Sequence, residues 1–141
     1  SVIRQIVAVS EVDADSRVLE IGPGLGVLTE ALLAAKASVT AVELDRDMAA
    51  FIRDRLPEVN LVEADGAQMD FDAIFGDERV RCVSNLPYNA GTKMITRMLA
   101  RPDRFDRLIV MVQVSLISVR ITSTDSCTSR VFWRSSRLGR T

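Results

Sequence analysis

Five short apolar runs alternate with stretches of helical period, and this alternation constrains the chain more than any other feature. The runs at Arg17–Ile21, Ser38–Glu43, Asn60–Glu63, 80–83 and 107–112 have strand length and strand composition. Between or before them, residues 1–9, 25–37, 46–56 and 92–99 carry apolar residues at helical spacing, with Ser1 and Asp45 placed as caps and Pro57 blocking continuation. Strands this short can be joined in parallel only through a returning helix. The chain therefore predicts an α/β fold with a mainly parallel sheet of about five strands.

The length of 141 residues, 48% of them apolar, suits one domain with a real core. No run approaches the roughly 18 to 20 apolar residues of a membrane span, and the first residues lack the layout of a secretory signal, so the expectation is a soluble, cytoplasmic protein without a membrane partner. There is no histidine, and the two cysteines, Cys82 and Cys127, lie far apart in sequence. That composition leaves no donor set for a zinc cluster or a Cys/His dyad, and no metal is expected. The net charge of −1 hides an asymmetry: residues 1–113 are acidic, whereas residues 114–141 hold five arginines against one aspartate. An acidic core is by itself poor support for a nucleic-acid partner. The last 28 residues, crowded with Ser, Thr and Arg, sustain no apolar period past Ile121 and are expected to be an atypical tail, disordered or read from a shifted frame.

Chemistry concentrates at the ends of the predicted strands. Glu20-Ile21-Gly22-Pro23-Gly24-Leu25-Gly26 closes the first, and its glycines permit a sharp turn and close approach of a ligand to the backbone beside a helix N-terminus. The third glycine of a dinucleotide fingerprint would fall on Val27, and no Gly-Lys-Ser/Thr follows, so neither the dehydrogenase loop nor a P-loop is present. Glu43 ends the second strand, where a carboxylate can accept both hydroxyls of a ribose. Ala64-Asp65 ends the third, pairing a small residue with an acceptor for an adenine amine. Taken singly, a strand-to-helix turn, a surface acid and an Asp-Gly turn are the plainer explanations.

Asn85-Leu86-Pro87-Tyr88 follows the fourth strand. The lone pair of an aromatic amine is delocalised into its ring, so such an amine is activated by acceptors that draw it out of plane. The Asn85 side-chain carbonyl and the Leu86 backbone carbonyl, held by rigid Pro87, suit that task, and Tyr88 suits stacking on an extruded base. An ordinary Asn-Pro turn with a half-buried tyrosine is the alternative.

These motifs, in this order and with Leu28-Thr29-Glu30-Ala31-Leu32-Leu33 and Val110-Met111-Val112-Gln113, resemble the small-subunit ribosomal RNA adenine dimethyltransferase family over residues 1–113. The resemblance implies a Rossmann-like methyltransferase core over 1–113, with 114–141 outside it. It implies S-adenosylmethionine as cofactor, contacted by Glu20, Gly22, Gly24, Gly26, Glu43, Leu44, Ala64, Asp65 and Asn85. It also implies transfer of methyl groups to adenine at Asn85, Leu86, Pro87 and Tyr88, with precursor small ribosomal subunits as partner. Family members also carry a preceding segment and a following helical domain that this sequence does not match. A sheet ending at the fifth strand would leave an apolar edge open to self-association. The competing readings are methyltransferases of large-subunit rRNA adenine, DNA adenine or protein glutamine, and a non-catalytic cofactor-binding or RNA-assembly fragment. Leu86, where a second proline would stand, favours the rRNA dimethylase type over the DNA and glutamine enzymes.

Overall fold

The computed structural model describes residues 1–112, 115–122 and 130–137, and within these the side chains through Ile121 except that of Tyr88. The elements run α1 (Val2–Ser10), β1 (Arg17–Ile21), α2 (Val27–Ala34), β2 (Ser38–Glu43), α3 (Arg46–Arg55), β3 (Asn60–Glu63), α4 (Phe71–Phe75), β4 (Val80–Leu86), α5 (Tyr88–Leu99), β5 (Phe105–Val112), β6 (Ser115–Thr122) and β7 (Arg130–Arg137). Local chemistry starts the helices. Ser1 accepts from the Arg4 N–H, Asp45 from Asp47 and Met48, and Asp70 from Asp72 and Ala73, each filling donors that a helix leaves open. Pro87 precedes α5, where a missing N–H costs nothing.

The strands form one sheet in the order β3-β2-β1-β4-β5-β6-β7. The first five are parallel, and β6 and β7 add an antiparallel pair. Alternation along each strand feeds two cores. Leu19, Cys82 and Leu108 meet Phe71, Phe75, Met94 and Met98 of α4 and α5, while Val18, Val39, Val83 and Ile109 meet Ile6 of α1 and Leu28 and Leu32 of α2. Two arginines fasten α1 to the sheet: Arg81 donates to the Ser10 carbonyl at 2.7 Å and Arg107 to the Val9 carbonyl at 3.1 Å, satisfying acceptors at the helix end.

The five parallel strands agree with the sequence reading, and three local expectations are corrected. The segment read as a loop between Asp65 and Asp77 contains α4, a single capped turn of helix held by Phe71 and Phe75 in the core. The fourth strand runs on to Leu86, so Asn85 and Leu86 belong to β4 itself. The region after residue 114, expected to lack regular structure, supplies β6 and β7. Ile117, Val119 and Ile121 alternate with polar residues along β6 and extend the α5-side core, and Leu116 joins the opposite one. The apolar edge expected to be open to self-association spans residues 108–117; β6 pairs along β5 from Arg107 to Val112, and 115–117 of that stretch are themselves part of β6. Residues 113, 114, 123–129 and 138–141, with Gln113 and Cys127 among them, lie outside the described residues.

Candidate functional site

The strand order reverses direction between β1 and β4, the switch point where a crevice forms at the carboxyl ends of a parallel sheet. Here the crevice is visible in the pairing. β1 and β2 stay in register to Ile21↔Val42, and β4 and β5 to Leu86↔Val112, but β1 and β4 pair only at Val18↔Arg81 and Leu19↔Cys82. Beyond Cys82 no further β1–β4 pair is registered, although the strands remain close enough for the Ile21 N–H to reach the Ser84 hydroxyl, and the loops following β1 and β4 lie side by side at this end.

A cavity of about 220 Å³ opens there, lined by Ile21, Gly22, Val42, Glu43, Leu44, Ala64, Asp65, Gly66, Pro87, Ala90 and Met94. Of the residues singled out from sequence, Gly22, Glu43, Leu44, Ala64, Asp65 and Pro87 meet in this one wall. Gly22 and Gly24 take positive φ of 69° and 57°, and a Cβ on either would project into open space, so the loop presents bare backbone. One Glu43 oxygen accepts from the Asp45 N–H at 3.1 Å, which orients the carboxylate and leaves the second oxygen available for a ligand. Asp65 accepts from the Ala67 N–H at 2.9 Å in a tight turn. Bare backbone, a half-buried carboxylate and walls of Ile21, Val42, Ala64 and Met94 fit a nucleoside, with its ribose hydroxyls on Glu43 and its ring between apolar side chains.

Other singled-out residues stand elsewhere. Glu20 is 2% exposed and faces away from the cavity, accepting from the Thr29 hydroxyl at 2.5 Å. Burial pushes its carboxyl up to about 7, with the Thr29 hydrogen bond opposing that rise. Gly26, at φ 85°, faces α3, where a Cβ would stand 2.8 Å from Ile52 Cδ1. Asn85 is exposed at the end of β4, beside the cavity rather than in its wall, and Leu86 is buried. The Tyr88 side chain lies outside the described residues.

Sequence reasoning missed Gly66, Ala90 and Met94. Gly66 is required because a Cβ would come within 2.5 Å of Ile21 Cγ2. Ala90, Met94 and Met98 follow helical spacing along α5, a signal of packing that says nothing of a cavity. A larger cleft of about 490 Å³ lies at the opposite end of the strands, walled by charged residues. Four of those charges are already paired, Arg17 with Glu78 and Arg81 with Asp106, and the cleft is remote from the glycine loop. We therefore place the site at the smaller, apolar cavity.

Comparison with known proteins identifies the family. The chain is 44% identical over 124 residues to the ribosomal RNA small subunit methyltransferase A of Corynebacterium jeikeium, covering 81% of this chain and 39% of that protein. It is 38% identical over 130 residues to the protein of the same name from Psychrobacter cryohalolentis, covering 87% and 45%. The chain thus spans about half the length, or less, of the curated relatives it matches. Among solved structures, the 23S rRNA methyltransferase ErmE superposes with a TM-score of 0.68 at 28% identity, over 77% of this chain and 44% of that one. The family described as ribosomal RNA adenine dimethylase matches residues 1–130, a span that takes in all five parallel strands and both loops of the crevice, and the chain belongs to that family.

Proposed function

We propose that this chain is the cofactor-binding core of an enzyme that transfers methyl groups from S-adenosylmethionine to the exocyclic amine of adenine in small-subunit ribosomal RNA, in the cytoplasm, during ribosome assembly. Residues 1–113 form the core, and β6 and β7 extend its sheet. The observation that carries the reading is the convergence of Gly22, Glu43, Asp65 and Pro87 on one cavity at the carboxyl ends of the parallel strands, with Asn85 two residues before Pro87 in the chain. Relatives 38% and 44% identical, named ribosomal RNA small subunit methyltransferase A, support small-subunit ribosomal RNA as substrate, and the family's description supports adenine.

In this reading Glu43 accepts the ribose hydroxyls, Asp65 the adenine amine, and the backbone of Gly22 and Gly24 lies against the amino-acid part of the cofactor. Bound there, S-adenosylmethionine supplies an electrophilic methyl on sulfur. Asn85 and the Leu86 carbonyl accept the hydrogens of the target amine, Pro87 fixes their orientation, and Tyr88 stacks on the extruded base. Calorimetric titration with S-adenosylmethionine, followed by methyl transfer to immature small subunits, tests the proposal. Absence of cofactor binding would refute it. Cofactor binding without transfer, even in protein of the family's full length, would favour the non-catalytic alternative.

A further inference from the structure

Where the β1–β4 ladder lapses, one side chain takes over. Ser84 is fully buried, and its hydroxyl oxygen accepts a 2.8 Å hydrogen bond from the Ile21 N–H, 63 residues earlier in the chain. The next residue after Ile21 is Gly22, whose own N–H is bonded to the Val42 carbonyl at 2.8 Å. The next after Ser84 is Asn85. This single bond therefore joins the last residue before the glycine loop to the last before Asn85. The Cys82 thiol lies 3.5 Å from the same oxygen, and burial holds it protonated, so no charged group competes for the Ile21 donor. Strand formation does not require a hydroxyl at position 84, and a buried hydroxyl is costly unless bonded.

We propose that Ser84 is a positioning residue of the cleft, its hydroxyl acting as a strut that fixes the separation of the glycine loop from Asn85. The inference rests on the function proposed above. A bimolecular transfer is sensitive to displacements of about 1 Å, and beyond Cys82 β1 and β4 register no further backbone pair.

A double-mutant cycle on S-adenosylmethionine affinity tests the strut, using the full chain as wild type, Ser84→Ala, Asn85→Ala and the pair. Ser84→Ala is expected to weaken binding by about 3- to 10-fold and Asn85→Ala, a residue the family resemblance also places against the cofactor, by no more than that, with the pair binding no more weakly than Ser84→Ala, because Asn85 contributes only while the strut holds. Ser84→Thr, which keeps the acceptor, should restore the coupling. Ile21 amide exchange should be slow in the wild type and fast in Ser84→Ala. Additive losses in the cycle would overturn this inference alone. A wild-type Ile21 amide exchanging at the rate of an open chain would do the same, even if Ser84→Ala does not fold. A wild-type chain that binds no cofactor would overturn both this inference and the function on which it rests.

Discussion

The Thr29 hydroxyl donates a 2.5 Å hydrogen bond to the Glu20 carboxylate across the base of the glycine loop, and both residues are sealed from solvent. The bond ties the penultimate residue of β1 to the first turn of α2, so the loop between them is held at both ends.

Burial of Glu20 makes stability depend on pH. With its carboxyl pushed from an ordinary 4.5 to about 7, the folded chain keeps a proton that the unfolded chain has lost. The contribution of this group is therefore fully present below about 4.5 and is lost as pH rises through about 7. The difference is on the order of 3 kcal/mol. Urea denaturation at pH 5 and pH 8 should show Glu20→Gln, which still accepts from Thr29, gaining on the wild type at the higher pH. Parallel pH dependence in the two proteins would contradict this.

Glu43 and Asp65 should separate in their effects. Glu43→Ala should weaken cofactor binding by about 1 to 3 kcal/mol with little change in melting, since it removes a charged acceptor whose own backbone bond is local. Asp65→Ala should lose less affinity but also the turn bond to Ala67, whereas Asp65→Asn keeps an acceptor for that N–H. Calorimetry and melting curves on the three variants decide it, and unchanged affinity in Glu43→Ala would remove it from the site.

Two glycines of one loop should fail differently. Gly26→Ala drives a Cβ to within 2.8 Å of Ile52 at a positive φ, and should cost about 1 to 3 kcal/mol of stability. Gly24→Ala meets no neighbour, so it should cost about 1 kcal/mol of backbone strain while placing a methyl group on the open face of the loop. Cofactor affinity should therefore fall more than stability in Gly24→Ala, and stability more than affinity in Gly26→Ala.

Asn85→Ala should lower turnover more than RNA affinity. The target amine gains positive charge as it is methylated, so a fixed carbonyl stabilises the transition state more than the ground state. Single-turnover rates and RNA binding, measured in protein of the family's full length, check this. Near-normal turnover would refute the role given to Asn85.

Arg107→Met should loosen α1. Its guanidinium bonds both Glu11 and the Val9 carbonyl, and losing that capping bond should cost about 1 to 3 kcal/mol. Faster amide exchange confined to α1 is the expected signature.

Sequence alone determined the five parallel strands, the caps at Ser1 and Asp45, and the residues that punctuate strand ends, because period, capping chemistry and glycine turns are local properties. It also marked Gly22, Glu43, Ala64 and Asp65 as candidates, since strand-end position follows from the strands themselves. Tertiary structure decided which of them share a cavity. Gly22 and Gly26 look alike in sequence, yet one faces open space and the other Ile52, and only the packing of α3 distinguishes them. Glu20, an acid in the same motif, turned inward because alternation along β1 points it away from the side that holds Leu19 and Ile21. β6 was hidden not by its own composition, since Ile117, Val119 and Ile121 alternate with polar residues, but by the Ser, Thr and Arg excess of residues 114–141 around it; that alternation acquires meaning only beside β5, whose edge supplies the backbone partners. The bond from Ile21 to Ser84 could not be read from either residue, because it exists only where two strands distant in sequence come together and then part.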